Sequence, residues 1–248
     1  MQLNVNLAGQ PPLRVFIGYD EREPDAWEVC AASLRRYTSI PLAIHALKQD
    51  RLRARGLYTR PEDEKASTQF AHTRFLVPAL CDYQGYALFV DCDFLFTQDI
   101  AKLWPHCDRN AAVNVVKHDY TPKSVWKMDG QPQVAYPRKN WSSLMVFNCG
   151  HENTKQLTPA YVNNSPAANL HRFAWCKEDA IHALPSEWNW LEGEYGWPVG
   201  AHFVDRRIEP PAAIHFTNGG PWFDGCMGVT YADLWIHALA EIRKEQGQ

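Results

Sequence analysis

The feature that most constrains this chain is its opening. Arg14-Val15-Phe16-Ile17-Gly18-Tyr19 is a short apolar run rich in β-formers, and it reads as a buried strand. Asp20 to Pro24 reads as a loop, and Pro24-Asp25 open a helix that runs to about Tyr37, with Ala26, Val29, Cys30, Ser33 and Leu34 at helical spacing. Pro41 to Leu47 reads as a second strand. A strand, helix and strand in this order make parallel neighbours, which implies an α/β sheet whose ligands sit beyond the carboxyl ends of its strands. The rest of the chain has the same character. A helix is expected from Ser67 or Thr68 to about Cys81, then strands at Tyr86–Val90, Ala111–Val116, Ser143–Phe147 and Ala213–Phe216. A short helix is expected over Ala174–Leu184 and an amphipathic one over Tyr231–Lys244, whose stripe of Leu234, Ile236, Leu239 and Ile242 suits packing on the core, a partner or a membrane surface. The whole chain, 1–248, is expected to form one domain, with residues 1–12 flexible ahead of the first strand.

Within that frame, Asp91-Cys92-Asp93 follows the strand Tyr86–Val90 directly. On extended backbone, residues i and i+2 share a face, so both carboxylates can reach one cation while Cys92 turns away. Hard divalent ions such as Mn²⁺ or Mg²⁺ take oxygen ligands and can bridge a diphosphate leaving group. The triplet alone is a weak signal, because 15 aspartates in 248 residues give about one Asp-x-Asp by chance. Its place at a strand end in the middle of an α/β chain is what gives it weight. His215 closes a late strand just before Gly219-Gly220, where it suits either a third metal ligand or a structural role. The glycine pair suits a close approach of backbone to phosphate or an ordinary tight turn. Arg74, beside Phe70, Ala71 and Phe75, can reach a phosphate cleft or pair with a carboxylate.

Composition excludes several classes. With 25 basic and 28 acidic residues there is no strong field for nucleic acid, and the short basic run Arg51–Arg55 reads as a solvated helix face. The first residues lack the pattern of a signal peptide, and no apolar run approaches the ~20 residues that span a bilayer, which implies a cytoplasmic protein without a transmembrane segment. Seven widely spaced cysteines form no CxxC and read as free thiols. Ten tryptophans, many between Trp175 and Trp235, read mainly as core.

In this order the pieces resemble the family 8 glycosyltransferases, the retaining group that includes glycogenin and bacterial lipopolysaccharide galactosyl- and glucosyltransferases. The matching stretches are the first strand closing on Asp20, Thr73 to Leu80, Tyr86 to Phe96, Gln98-Asp99-Ile100, Ser143 to Asn148, and Ile214-His215-Phe216 with Gly219 and Pro221-Trp222. The resemblance implies a GT-A fold, a Rossmann-like, mostly parallel sheet flanked by helices. It implies a nucleotide-sugar donor, usually UDP-linked, a glycan-type, lipid-linked or protein acceptor, and Mn²⁺ or Mg²⁺ held by Asp91, Asp93 and His215. It places Tyr19 and Asp20 at the base and ribose, Arg74 in the donor pocket, and Trp222 beside the diphosphate. Where relatives carry a phosphate-binding lysine this chain has Gly220, so phosphate contact passes to the Gly219-Gly220 backbone. The relatives' Asn-Ser-Gly and Asp-Gln-Asp motifs align with Trp141-Ser142-Ser143, Asn140 standing one place early, and with Lys177-Glu178-Asp179. Asn140, Trp141 and Ser142 therefore map to the donor, and Glu178 and Asp179 to the reacting sugar. In retaining relatives the acceptor attacks on the leaving-group face and a phosphate oxygen takes its proton.

Other classes fit less well. A phosphohydrolase with Asp91 as nucleophile would place a small residue and Thr after an N-terminal triplet, whereas Phe94 and Leu95 follow this one. A nucleotidyltransferase would need a glycine-rich basic loop near the start. A non-catalytic nucleotide- or glycan-binding module would need no intact metal set. Acceptor contacts are expected from the loop His118–Asn140 and from Trp188–Trp197.

Overall fold

The structure, a computed structural model, describes residues 11–61, 67–119, 137–195 and 209–247. The opening unit forms as read: β1 (Leu13–Gly18), α1 (Pro24–Tyr37) and β2 (Leu42–Leu47), with β1 and β2 parallel in the register Leu13↔Leu42. Pro24 suits the first turn of α1, where an amide would have no partner. A short α2 (Gln49–Ala54) and α3 (Val77–Leu80) lead to β3 (Tyr86–Val90) and β4 (Phe94–Phe96). Then come β5 (Val113–Val115), β6 (Leu144–Asn148), α4 (Pro159–Asn164), α5 (Ala167–His171), β7 (Ile181–Ala183), β8 (Trp190–Leu191), β9 (Ala213–His215) and α6 (Ala232–Glu245).

Six strands make the main sheet in the order β2-β1-β3-β6-β5-β7. All run the same way except β6, which is antiparallel to both β3 and β5. That reversal positions the site. It brings the segment before β6 to the carboxyl end of β3, where Val90 pairs with Leu144 and the Asp91 amide donates to Ser143 O at 2.9 Å. β4 leaves the main sheet and joins a second sheet, β4-β9-β8. Antiparallel pairing of Phe94 with His215 carries the histidine to the acidic pair.

The larger apolar cluster fills the main sheet, with Val15, Ile17, Leu88, Phe89, Val146 and Phe147 all at 1% exposure or less. A smaller one joins Val29 of α1, Leu95, Ile214, Phe216 and Trp235 of α6. All seven cysteines are free, as expected, and five are buried.

Three expectations are corrected. The helix read from Thr68 to Cys81 is a turn, a 3₁₀ segment (Thr73–Leu76) and one turn of α-helix. This stretch is buried on every side, from Phe70 to Val77, so packing rather than one amphipathic face sets its path, and Pro78 offers no amide to an α-helical ladder. The helix read over Ala174–Leu184 is a 3₁₀ turn (Glu178–Ala180) followed by β7, which is drawn into the sheet by pairing with β5. The apolar stripe of α6 is also differently phased: Trp235 is buried and Leu239 and Ile242 pack beneath it, while Leu234 and Ile236 are exposed. The expectations for residues 1–10, most of the 118–140 loop and the end of the Trp188–Trp197 segment lie outside the described residues.

Candidate metal and donor site

Asp91, Asp93 and His215 converge. One ligand atom from each lies within 4.8 Å of the other two. The histidine is 2% exposed, and the Asp91 and Asp93 side chains are 13% and 20% exposed, so the cluster sits at the floor of a cleft.

The His215 ring is fixed from behind. It stacks on Phe94 at 4.4 Å, and Nδ1 lies 2.8 Å from Asn189 Oδ1. The direction of that bond follows from the bonds beyond it. Ser143 Oγ donates to Asn140 O at 2.6 Å, so it must accept from Asn189 Nδ2, at 2.8 Å. Asn189 Oδ1 is then the atom facing the ring, and it accepts Nδ1–H. Nε2 is left facing Asp93 Oδ2 at 3.2 Å. Two carboxylates with an imidazole whose Nε2 faces them suit Mn²⁺ or Mg²⁺.

Asp91 is held on its other side by Arg74, whose Nη1 lies 2.8 Å from Oδ1. The same nitrogen donates to Ser142 O at 2.9 Å, Nε donates to Phe70 O at 3.3 Å, and the guanidinium packs against both the Phe70 and Phe89 rings. Arg74 is buried behind the acidic pair, and of the two roles open to it the carboxylate pairing is the one this geometry forms. Burial pushes Asp91 up to about 6; Arg74 opposes that shift, and the neighbouring Asp93 charge adds to it.

The other sequence candidates divide. Asp20 is fully buried and saturated: it accepts from Arg22 N, Nε and Nη2 at 3.0, 2.9 and 2.7 Å and from Gln69 N at 3.1 Å. Burial opposes its ionisation, but these hydrogen bonds outweigh it and hold its carboxyl below the usual value. Tyr19 is half-buried, with the Lys48 ammonium 3.9 Å from its ring centroid. Asn140 takes the left-handed conformation (φ 62°) and donates to Thr217 Oγ1 at 3.1 Å, which ties the segment before β6 to the one after β9. Ser142 Oγ lies 2.8 Å from His171 Nδ1, and Trp141 Nε1 donates to His118 O at 2.9 Å. Glu178 is 62% exposed and pairs with Arg138 and, at 3.5 Å, with Lys117, while Asp179 is exposed on the same turn. Neither has a described contact with the metal cluster.

The cleft that opens on Asp93 is lined by Glu23, Thr68, Asn218, Gly219, Trp222 and other residues. Trp222 packs against Phe216, Phe223 and Trp235, and its Nε1 donates to Glu23 Oε2 at 3.2 Å. Gly220 is required by that ring: a Cβ there would lie 2.0 Å from Trp222 Cζ3. A larger groove, about 1400 Å³, runs between α1 and α6 and is lined by neither carboxylate of the acidic pair.

Sequence reasoning missed Asn189, Ser143, Thr217 and Glu23. Asn189 left one signal, a lone amide between Trp188 and Trp190, which a buried segment tolerates only when the amide is bonded.

No family model matches the chain. It is 46% identical over 239 residues to Protein CDI of Arabidopsis thaliana, covering 94% of this chain and 88% of that protein. Among solved structures it resembles the bifunctional glycosyltransferase WbbM (18% identity, TM-score 0.56, 95% of this chain) and the glycosyltransferase GlyE of Streptococcus pneumoniae TIGR4 (14%, 0.57, 95%). It spans 51% of WbbM and 63% of GlyE. It also resembles the galactosyltransferase LgtC, solved with donor and acceptor sugar analogues (12%, 0.55, 92% of this chain and 96% of that one). These likenesses show the fold: the mostly parallel sheet flanked by helices is of the GT-A type. No helix among the described residues is long and apolar enough to cross a membrane.

Proposed function

The chain belongs to the family of Protein CDI of Arabidopsis thaliana, and from that premise we propose that it is a metal-dependent glycosyltransferase. It moves a sugar from a nucleotide-sugar donor, UDP-linked by the family 8 resemblance, to a glycan-type acceptor with retention. One observation carries this reading: Asp91, Asp93 and His215 offer three ligand atoms within 4.8 Å at the carboxyl end of β3, in a GT-A fold.

These three residues would hold Mn²⁺ or Mg²⁺, which when bound stabilises the charge of a departing diphosphate. The protein's own part is preorganisation. Asn189 fixes the imidazole so that Nε2 faces the cleft, and Arg74 with the Ser143 carbonyl fixes Asp91. Trp222, braced by Gly220 and Glu23, walls the cleft beside Asp93 and keeps water from one side of the leaving group. Glu178 and Asp179 stand as sugar-side candidates from the sequence alone. A phosphohydrolase reading is weaker, because Asp91 turns one oxygen to Arg74 and is largely buried, a poor posture for a nucleophile.

The test is calorimetric titration with UDP and UDP-sugars in Mn²⁺ and again in EDTA, on the wild type and on Asp93→Ala. Metal-dependent binding that the substitution removes is the expected result. A folded wild type that binds no nucleotide sugar in the presence of metal would end this reading.

A further inference from the structure

The cleft beside Asp93 is poor in positive charge. Among the described residues neither lysine nor arginine lines it; the charged walls are Glu23 and Asp93, and the other polar walls include Ser67, Thr68, Thr217 and Asn218. Among the described residues the groups placed to anchor a diphosphate are the metal ligands and backbone amides. The side chains are suited to a different part of a ligand, one that offers O–H groups.

Three of them are short of partners. Asn218 Nδ2 is committed to Glu194 Oε1 at 3.0 Å, and its buried Oδ1 has no hydrogen bond among the described residues. Thr68 Oγ1 is in the same condition. Glu23 ends the loop between β1 and α1, and its described hydrogen bond uses Oε2 alone, to Trp222 Nε1. Burial, then the Asp93 and Asp20 charges, push its carboxyl up to about 8. Buried polar atoms without partners are rare, and a cleft that gathers them commonly completes its hydrogen bonds with a ligand.

We propose that Glu23 is a specificity-determining residue of this cleft, its carboxyl hydrogen-bonding adjacent hydroxyls of the nucleotide sugar, on the ribose or on the transferred sugar. The inference rests on the glycosyltransferase reading and deepens it. An acidic side chain facing a vicinal diol beyond the end of a parallel strand is a recurrent solution in Rossmann-like sheets. It discriminates strongly, because an analogue lacking the hydroxyl leaves the carboxyl buried and unsatisfied. The loop that carries Glu23 is also tied to the strand-end carboxylate Asp20 through the backbone bond from Glu23 N to Asp20 O at 3.1 Å, so the group is held in place before any ligand arrives.

Isothermal titration of wild type, Glu23→Ala and Glu23→Gln with UDP, 2′-deoxy-UDP, UDP-glucose and UDP-galactose at fixed Mn²⁺ tests this. Glu23→Ala is expected to weaken the ligand bearing the recognised diol by about tenfold or more. A loss on UDP that 2′-deoxy-UDP does not share assigns the ribose; a loss confined to the UDP-sugars assigns the transferred sugar. Glu23→Gln keeps an oxygen for Trp222 Nε1 and should fall between the two. Trp222→Phe removes the indole donor and leaves Glu23 in place. If it reproduces the Glu23→Ala pattern in full, the effect belongs to the ring and the inference is overturned. A folded Glu23→Ala within about twofold of wild type on all four ligands overturns it as well. A wild type that binds none of the four sinks the parent reading, which is visible in that arm before any variant is compared.

Discussion

Asp20 and Asp91 lie just beyond the carboxyl ends of the neighbouring parallel strands β1 and β3, and the protein treats them in opposite ways. Asp20 receives four hydrogen bonds from Arg22 and Gln69, which hold its carboxyl below the usual value. Asp91 has Arg74 on one side and a second carboxylate on the other, and burial pushes it up to about 6. The first is a finished structural joint. The second is a site whose charge is incompletely balanced by the chain, as expected where a cation or ligand completes the arrangement. Similar sequence positions therefore sit in different electrostatic surroundings, and the difference lies in who donates to the oxygens.

The sharpest way to break the contrast is to remove a carboxylate from each side. Asp93→Ala should abolish Mn²⁺-dependent nucleotide binding, at least a hundredfold by calorimetry, while its thermal midpoint without metal stays level or rises. Like charges no longer face each other in that variant. A large fall in the midpoint would show that the acidic pair is a structural joint after all.

Asn189→Ala should weaken Mn²⁺ binding by roughly 10- to 100-fold, the usual effect of losing the partner that orients a ligating histidine. Titration followed by Mn²⁺ electron paramagnetic resonance would check it. Unchanged affinity would mean that stacking on Phe94 suffices to hold the His215 ring.

On the structural side, Asp20→Ala should destabilise the fold by about 2 kcal/mol in urea unfolding, a charge-assisted network discounted because Arg22 is half exposed, and leave Mn²⁺ binding intact. The acid response has a definite sign. With a folded pKa below the unfolded one, Asp20 contributes stability that is present above the unfolded value near 3.8 and is lost as pH falls toward the folded value. Asp20→Asn should therefore flatten the acid limb of the stability profile below about pH 4.

Much of this contrast could be seen in the sequence, and its decisive half could not. The strand-end rule found β1, β3 and the Asp91-Cys92-Asp93 turn, because buried parallel strands leave short apolar runs that end abruptly in polar residues. Asp20 enters the site only through the family resemblance, which maps it to the base and ribose rather than to the metal. What separates Asp20 from Asp91 is long-range: Gln69 reaches Asp20 across 49 positions, and Ser142, which shares Arg74 with Asp91, lies 68 positions from that arginine. Periodicity carries no trace of such bonds. The same holds for β7, where Ile181-His182-Ala183 has no strand pattern of its own and becomes a strand by pairing with β5. For Arg74 the sequence leaves open phosphate or carboxylate; its contact with Asp91 Oδ1 at 2.8 Å and its burial against Phe70 and Phe89 form the second.

The smallest expected effect concerns Glu178, which motif alignment assigns to the reacting sugar. Its side chain is 62% exposed, and its described partners are Arg138 and Lys117, whose charges also flank the Trp141 ring at 5.4 and 5.5 Å. Exposed ion pairs of this kind contribute about 0–1 kcal/mol, and two flexible cations can find other partners when one carboxylate is removed. Glu178→Gln should therefore shift the thermal midpoint by no more than about 4 °C, since about 1 kcal/mol moves a chain of this size by roughly 2–4 °C. Its turnover of donor should fall by less than about fivefold, because Gln keeps the shape and one acceptor oxygen of Glu. A fall of a hundredfold or more with an unchanged midpoint would reverse the contrast drawn from Asp20 and Asp91. It would mean that an exposed, paired carboxylate becomes a buried, reacting one when donor binds, and that alignment had located a residue whose role the ligand-free geometry conceals.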